Sequence, residues 1–202
     1  QLCKRLNSKL INFSTSEVYG NQKCYLDEDI QVHPNNIYGI SKYMAEKLIK
    51  YESKNGLRYI NVRPFMMYDE NESMGENRSA MIRFSENIWR DIPFTVHRGS
   101  KRSWLHISDA VVLFEKLLYI DNGVIINIGN YDFIPTEDMA KFMCSFANKS
   151  DTLIRYEELP DKMTLCKIAK FELQKNLLSY SPKVSIYDGM RLVMNKMKKR
   201  LA

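Results

Sequence analysis

The sequence predicts an α/β protein built around a parallel sheet. Short apolar runs alternate along the chain with segments of helical periodicity, and strands separated by helices are typical of parallel pairing. Internal repeats and low-complexity linkers are absent from the sequence. At 202 residues the chain can form one domain with a substantial core, or one domain with a small appendage.

The first elements follow from local pattern. Residues 9–13 predict a short buried strand, and residues 38–54 predict a helix that Asn55-Gly56 ends. Residues 58–63 predict a second strand, which Pro64 closes. The inward face of the helix is expected to carry Ala45, Leu48 and Ile49.

The same alternation continues to the end of the chain. Further strands are predicted at 94–97, 124–128 and 152–156. Further helices are predicted at 80–90, 108–120, 136–147, 167–178 and 185–199. Ser108 and Thr136 are the expected N-caps of their helices, because a hydroxyl oxygen can accept a hydrogen bond from a backbone N–H of the first turn.

Composition narrows the class of protein. The chain is 45% hydrophobic and 27% charged, which is ordinary for a globular protein, and no apolar run approaches the roughly 20 residues that span a bilayer. We therefore expect a cytoplasmic protein without membrane contact. The four cysteines show no metal-binding spacing, so no metal site is predicted and reduced, mostly structural thiols are expected: Cys3, Cys24, Cys144 and Cys166.

Basic residues exceed acidic ones. The net charge is +6 and the basic stretch 196–200 holds part of it. This stretch is interpreted as a solvated helix end, because no aromatic-basic interleaving or nucleic-acid motif accompanies it. No nucleic-acid partner is expected, whereas a phosphate-bearing small molecule suits the surplus charge.

The stretch INFSTSEVYG, residues 11–20, indicates a ligand site. In open parallel sheets ligands bind beyond the carboxyl ends of the strands, which is where Thr15, Ser16 and Glu17 follow the first predicted strand. The helix after it begins with Tyr38 and Lys42, which are four residues apart and share one face. A nearby ammonium favours the phenolate of tyrosine, so this pair can supply a general base, although the spacing alone arises often by chance.

Five motifs in order give these residues a context. STSEVYG, YGISK, VRPFMMY, RGSKRSWLHISD and INIGN together resemble the NAD-dependent epimerase/dehydratase family of extended short-chain dehydrogenases, over residues 9–188. The resemblance implies NAD as cofactor, a nucleotide-sugar substrate and a homodimer. It also implies the later half of a Rossmann-type parallel sheet, followed by a small C-terminal α/β substrate-binding domain.

The resemblance assigns roles to individual residues. Tyr38 would be the catalytic base, and Lys42 would hold the nicotinamide ribose and lower the tyrosine pKa. Thr15 would hydrogen-bond the reacting sugar oxygen. Pro64 and Phe65 would line the nicotinamide pocket, and Arg102 would grip the substrate diphosphate.

Ser16 and Glu17 bear on the reaction type. Dehydratases of the family typically carry Asp-Glu at this pair of positions, whereas Ser-Glu resembles uronate decarboxylases and some 4-epimerases. We therefore expect a 4-epimerase-like enzyme that acts through a transient keto-sugar, with UDP-glucuronate decarboxylation as the alternative. Glu17 would be an acid/base or orienting group, or would cap local backbone amides.

Two departures from the family pattern leave a further alternative. Met66, Asp69 and Glu70 occupy positions where the family usually has an Asn and then Gly-Pro. In addition, the 202 residues contain no GxxGxxG fingerprint, so we expect them to be the C-terminal part of an enzyme and to bind NAD poorly alone. A truncated, non-catalytic paralogue or subunit is the competing hypothesis.

The expected organisation has two parts. Residues 1–135 would form part of the NAD-binding Rossmann region, with a substrate-domain insertion around residues 69–105. Residues 136–202 would form mainly the substrate-binding C-terminal region.

Overall fold

The fold is taken from a computed structural model that describes residues 1–22, 25–75, 78–121, 123–160 and 163–202. The strands are β1 (Lys9–Phe13), β2 (Arg58–Pro64), β3 (Met66–Tyr68), β4 (Phe94–His97), β5 (Lys101–His106), β6 (Val124–Ile128), β7 (Phe133–Pro135), β8 (Ile154–Glu157) and β9 (Cys166–Lys167). The helices are α1 (Leu2–Arg5), α2 (Ile37–Ser53), α3 (Ala80–Trp89), α4 (Ile107–Lys116), α5 (Thr136–Phe146), α6 (Glu172–Leu178) and α7 (Ile186–Leu201). This is the predicted α/β class.

A three-stranded parallel sheet carries the first part of the fold. Its order is β1-β2-β6, with Ile11 opposite Ile60 and Ile60 opposite Val124. Alternate residues of β2 point to opposite faces. Ile60 and Val62 pack with α4 residues such as Leu113 in one apolar core, whereas Arg63 points toward α2 and pairs with Glu46.

The second part is built on shorter strands. β3, β5 and β7 form one sheet to which β9 adds beside β5, and β4 pairs with β8. A methionine-rich core of α3, α5 and α7 packs against these strands. Neighbouring residues of β5 serve both cores: Leu105 packs in the first cluster and Trp104 in the second. β5 therefore joins the two parts of the fold.

Several predicted elements are confirmed with shifted ends. The helix predicted from residue 108 begins at Ile107, and its N-cap is His106, whose ring accepts a hydrogen bond from the Ser108 N–H. Thr136 is the first helical residue of α5 rather than its cap, and its hydroxyl accepts a hydrogen bond from Ser100. The prediction of both N-caps was wrong.

Two other boundaries differ more. The strand predicted from residue 152 starts at Ile154, because 151–153 form a 3-10 turn. The helix predicted from residue 167 starts at Glu172, because Lys167 is in β9. Strands β3, β5, β7 and β9 were not predicted, since each is short or lacks a clean alternation of apolar residues.

The expected burial was wrong in two places. Leu48 on α2 is 65% exposed, and the side chain that faces the sheet near it is Glu46. β1 is only half-buried, because among the described strands it pairs with β2 alone and lies at the sheet edge.

The thiols are not all reduced. Cys3 and Cys144 are free, as expected, whereas Cys166 is in a disulfide, so the prediction was wrong for this residue. Cys24 lies outside the described residues. Across the described ranges, no cluster of three or more metal-ligating side chains is present, and no helix is both long and apolar enough to cross a bilayer.

Candidate functional site

The carboxyl end of β1 leads directly into a tight turn. Thr15 caps a 3-10 turn over Ser16–Tyr19, and its Oγ1 accepts a hydrogen bond from the Glu17 N–H at 3.2 Å. Thr15 and Ser16 are buried. The buried Ser14 Oγ has no hydrogen-bond partner among the described residues, so it is available to a ligand or water.

The first turn of α2 packs against this 3-10 turn. Asn36 is the N-cap of α2: its Oδ1 accepts a hydrogen bond from the Gly39 N–H at 2.8 Å, and its Nδ2 donates to Glu17 at 3.0 Å. A Cβ on Gly39 would lie 2.7 Å from the Glu17 carbonyl oxygen, so only glycine permits this approach without displacement. The glycine of YGISK thus permits the close approach of the tyrosine helix to the 3-10 turn that follows β1.

Tyr38 and Lys42 project from α2 beside the end of β1. The Lys42 Nζ donates a hydrogen bond to the Phe13 carbonyl oxygen at 2.8 Å and lies 5.9 Å from the Tyr38 ring centroid. Tyr38 is 54% exposed, so its hydroxyl can be reached from outside. The predicted Tyr–Lys pair therefore has a common face and an anchored lysine.

These groups surround one cavity of about 340 Å³. Seven of the eight predicted site residues line it: Thr15, Ser16, Glu17, Tyr38, Lys42, Pro64 and Phe65. They come from the ends of β1 and β2 and from the start of α2. The eighth residue, Arg102, lies elsewhere.

Arg102 lines a second cavity of about 210 Å³. Met66 lines both cavities, so they are adjacent. The second cavity is rich in cationic side chains, together with one histidine: Arg78, Arg83, Arg102, Lys167 and His97. Such a wall suits an anionic ligand such as a phosphate.

Arg102 is buried and fixed by backbone carbonyls. Its Nη1 donates to Lys101 and Leu165 at 2.9 and 2.8 Å, and its Nη2 donates to Thr164 at 2.6 Å. Burial lowers the pKa of Arg102 to about 10, although the Glu17 carboxylate opposes this shift. An arginine has five N–H donors, so these three bonds leave others for a ligand in the cavity.

Glu17 connects the two cavities. Its side chain lines the first, and it forms a salt bridge with Lys167, which lines the second. Burial raises the pKa of Glu17, but the charge and hydrogen bond of Lys167, with the Asn36 amide, outweigh burial and lower it. Glu17 therefore caps no backbone amide through its described contacts and is held as a carboxylate.

Lys167 was missed by the sequence analysis. It lies 150 residues from Glu17, and the expected helix from residue 167 gave no reason to bring the two together. Burial lowers the pKa of Lys167 and the Glu17 carboxylate opposes that shift. The close contact stabilises the charged form of each partner against the effect of burial.

The two unusual carboxylates lie outside both cavities. Glu70 Oε2 is 2.9 Å from His106 Nε2, and Asp69 accepts hydrogen bonds from Asn71 in a local turn. Of the three residues that depart from the family pattern, only Met66 lines the cavities. Asp69 and Glu70 are therefore occupied with local structure.

The first cavity suits the nicotinamide-riboside half of a dinucleotide. Pro64 and Phe65 are apolar residues of its lining. The Lys42 ammonium, the Tyr38 hydroxyl and the unpartnered Ser14 Oγ offer hydrogen-bonding groups for ribose hydroxyls or an amide. This donor set fits the cofactor that the sequence resemblance implies.

Comparison with known proteins places the chain. The model of the NAD dependent epimerase/dehydratase family matches residues 1–129. UDP-glucuronic acid decarboxylase 5 of Arabidopsis thaliana is 27% identical over 209 residues, which cover 99% of this chain and 61% of that protein. The dTDP-4-dehydro-6-deoxyglucose reductase of Escherichia coli is 32% identical over 126 residues, or 60% of this chain and 40% of that protein.

Solved structures of nucleotide-sugar enzymes have a similar fold. The UDP-glucuronic acid 4-epimerase of Bacillus cereus, in complex with UDP-glucuronic acid and NAD, superposes with a TM-score of 0.88 at 25% identity, covering 98% of this chain and 64% of that one. The dTDP-glucose 4,6-dehydratase of Bacillus anthracis, in complex with NAD, has a TM-score of 0.87 at 21% identity, covering 98% and 64%, and shows the shared fold.

The matches cover most of this chain but only part of each relative. The chain spans about three fifths of the length of the curated decarboxylase, and its parallel sheets match those of Rossmann-like dehydrogenases. The family model covers well over half of the chain, including β1, α2, β2 and β6 almost to the end of INIGN. The chain therefore belongs to the NAD dependent epimerase/dehydratase family.

Proposed function

We propose that the protein is an NAD-dependent nucleotide-sugar enzyme of the 4-epimerase type. The observation that carries this proposal is the convergence of Thr15, Tyr38 and Lys42 on one cavity that adjoins a second, cationic cavity. The first has the groups for proton transfer at a sugar hydroxyl. The second has the charge for a nucleotide diphosphate.

The side chains divide the chemistry. Tyr38 accepts the proton of a sugar hydroxyl at its phenolic oxygen and later returns it, and Lys42, on the same face of α2, holds the nicotinamide ribose. The Thr15 hydroxyl hydrogen-bonds the reacting oxygen. NAD, when bound, supplies the hydride acceptor and donor that make and reduce the keto-sugar.

The diphosphate is assigned to the second cavity. Arg102 faces it from β5, opposite Lys167 on the neighbouring β9, whose ammonium is paired with Glu17. Arg78 and Arg83 complete a cationic wall at the start of α3. A diphosphate bound there places an attached sugar toward Met66, the residue common to both cavities.

A decarboxylase is the second candidate, and the relatives favour it. UDP-glucuronic acid decarboxylase 5 matches nearly the whole chain at 27% identity. Both reactions begin with the same oxidation of a sugar hydroxyl to a 4-keto uronate. In the epimerase this ketone is reduced on its other face; in the decarboxylase it loses carbon dioxide, and the resulting 4-keto pentose is then reduced by the hydride removed in the first step. Tyr38 and Lys42 have the same role in both.

Product analysis separates the candidates. The whole protein, with NAD, is incubated with UDP-glucose and separately with UDP-glucuronate. Interconversion at C4 without release of carbon dioxide supports the epimerase, whereas carbon dioxide from UDP-glucuronate supports the decarboxylase. Binding of either nucleotide sugar without conversion contradicts both and supports the non-catalytic subunit.

The proposal includes a homodimer. α2 exposes an apolar face on the side away from the sheet: Ile37, Ile40, Met44, Leu48 and Tyr51. A face of this kind is typical of a protein contact. If α2 pairs with a second copy, Met44→Glu with Leu48→Glu yields a monomer by light scattering, and a monomeric unmutated protein contradicts the dimer.

The domain limits are also part of the proposal. We assign residues 1–135 to the cofactor region, with a substrate-domain insertion around 69–105, and residues 136–202 mainly to the substrate region. The two apolar cores that meet at β5 support this division.

A further inference from the structure

We propose that Lys167 is a positioning residue for Glu17: its ammonium fixes the Glu17 carboxylate, in charged form, at the wall between the two cavities. The inference rests on the proposed function, because it assigns Glu17 a role at the same site. It distinguishes between the roles that the sequence leaves open for Glu17.

The contact is enforced from both sides. Lys167 is 7% exposed and lies on β9, which pairs with β5 so that Lys167 is opposite Arg102. Its Nζ contacts Glu17 Oε1, and Asn36 donates to Glu17 Oε2 at 3.0 Å. Both carboxylate oxygens therefore have a donor, and the side chain has little freedom to rotate.

Asn36 links this arrangement to the proposed base. The same side chain caps α2 through the Gly39 N–H, one residue after Tyr38. A carboxylate held by Lys167 and Asn36 is thus fixed relative to the start of the tyrosine helix. Lys167 acts on the site through Glu17 and not by contact with the reacting atoms.

The surrounding charges favour the carboxylate. The charged groups that act on Glu17 are Lys167 on β9 and Arg102 on β5, whereas the contact from the start of α2 is the neutral Asn36 amide. Burial raises the Glu17 pKa, and these groups together lower it. Glu17 therefore accepts hydrogen bonds or a proton from a ligand and does not act as an acid at neutral pH.

The contact between Lys167 and Glu17 has a second, purely structural explanation. A buried lysine also fills space and anchors β9, so its loss could disturb the site without any effect on the charge of Glu17. Lys167→Met keeps the length of the side chain and removes the ammonium. Lys167→Arg keeps the charge and changes the shape.

The test measures Glu17 directly. The carboxyl carbon of Glu17 is followed by NMR against pH without substrate, with the signal assigned from Glu17→Gln. We expect the Glu17 titration to move to higher pH in Lys167→Met and to stay close to the unmutated protein in Lys167→Arg. Lys170→Met is the matched control. Lys170 lies three residues after Lys167, is half-exposed and pairs with Asp27 instead of Glu17.

Turnover supplies the second readout. If Lys167 acts by positioning, kcat/KM falls about 10²-fold in Lys167→Met, the acid limb of its pH profile moves to higher pH, and Lys167→Arg recovers most of the rate. Lys167→Gln is the substitute if Lys167→Met does not fold. Superimposable Glu17 titrations in the unmutated protein and in the folded neutral variant overturn the inference.

The two proposals fail differently. If the unmutated protein converts no nucleotide sugar, the proposed function is wrong, while the NMR titration still decides whether Lys167 controls Glu17. If it turns over and Glu17 titrates identically with and without Lys167, only the positioning role is wrong.

Discussion

Arg63 and Glu46 form a bidentate ion pair between β2 and α2. Arg63 Nη2 is 2.7 Å from Glu46 Oε2, and Nε is 3.0 Å from Oε1, with both side chains 3% exposed. The same guanidinium donates to the Tyr19 hydroxyl at 3.0 Å, which in turn donates to Asn127. The face of the sheet beneath the tyrosine helix thus contains a buried polar network.

Removal of one partner of this pair is expected to destabilise the fold strongly. Glu46→Ala leaves the Arg63 guanidinium buried without its counter-charge, so we expect a loss of about 3–5 kcal/mol in the free energy of unfolding, measured with urea. Glu52 lies on the same helix as Glu46, but its carboxylate is more exposed and pairs with Lys4 of α1. Glu52→Gln should therefore leave the midpoint of urea unfolding nearly unchanged. Equal, small effects of the two variants would show that the network contributes little.

Tyr38→Phe should abolish turnover without unfolding the protein. The hydroxyl is the proposed proton acceptor, and general-base catalysis typically contributes about 10²–10⁴-fold. Because Tyr38 is half-exposed on α2, thermal melting should be almost unaffected. Tyr51→Phe, an exposed tyrosine on the same helix, is the control, and retained activity in Tyr38→Phe would refute the assigned base.

Gly39→Ala should disturb the site through the backbone. Alanine normally favours a helix over glycine, but here its Cβ would be 2.7 Å from the Glu17 carbonyl oxygen. We expect a loss of about 1–3 kcal/mol in unfolding free energy and a weaker apparent affinity for the nucleotide sugar. Ser41→Ala, two residues along on the exposed side, should show neither effect in the same urea and binding measurements.

Glu28 should make stability depend on pH. Burial raises its pKa above the ordinary 4.5, although the hydrogen bond from the Asn127 N–H opposes this. The folded state therefore binds this proton more tightly than the unfolded state, a contribution present below pH 4.5 and lost as pH rises through the folded pKa. The stability of Glu28→Gln relative to the unmutated protein should consequently increase as the pH rises from about 4 to about 7. If the difference in urea midpoint between the two proteins were the same at both pH values, this expectation would be contradicted.

Asp109 ties the segment between α6 and α7 to the start of α4. It accepts hydrogen bonds from the Tyr180 hydroxyl at 2.7 Å and from the Lys183 and Val184 N–H groups at 3.0 and 2.9 Å. Asp109→Ala leaves these donors without their acceptor, so we expect a loss of about 1–3 kcal/mol in unfolding free energy. Asp188→Ala, an exposed carboxylate at the start of α7, provides the comparison by the same urea titration.

Local signals predicted most of the first cavity. Thr15, Ser16 and Glu17 follow an apolar strand, and Tyr38 and Lys42 share a helix face, so neither group depends on a distant contact. The buried side of α2 was predicted less well. Periodicity favours apolar Leu48 as an inward residue, whereas the sheet beneath presents Arg63 and therefore selects Glu46.

Segments that pair across long distances were the least predictable. β9 has only 2 residues and β5 lacks a clean alternation of apolar residues, so nothing in the sequence indicates that Lys167 lies beside Arg102. His106 replaced Ser108 as the cap of α4 because Glu70 and Ser108 hold its ring in place, a relation that sequence spacing does not reveal.

By itself the sequence determined the α/β class, the strand that ends at the hydroxyl cluster and the tyrosine-lysine helix, because each depends on periodicity or spacing within a few residues. The tertiary structure alone decided that Arg102 has a cavity of its own, that Asp69 and Glu70 are locally engaged, and that Glu17 pairs with Lys167. These outcomes depend on strand pairing and on burial. Both arise only when residues distant in sequence are brought together and removed from water.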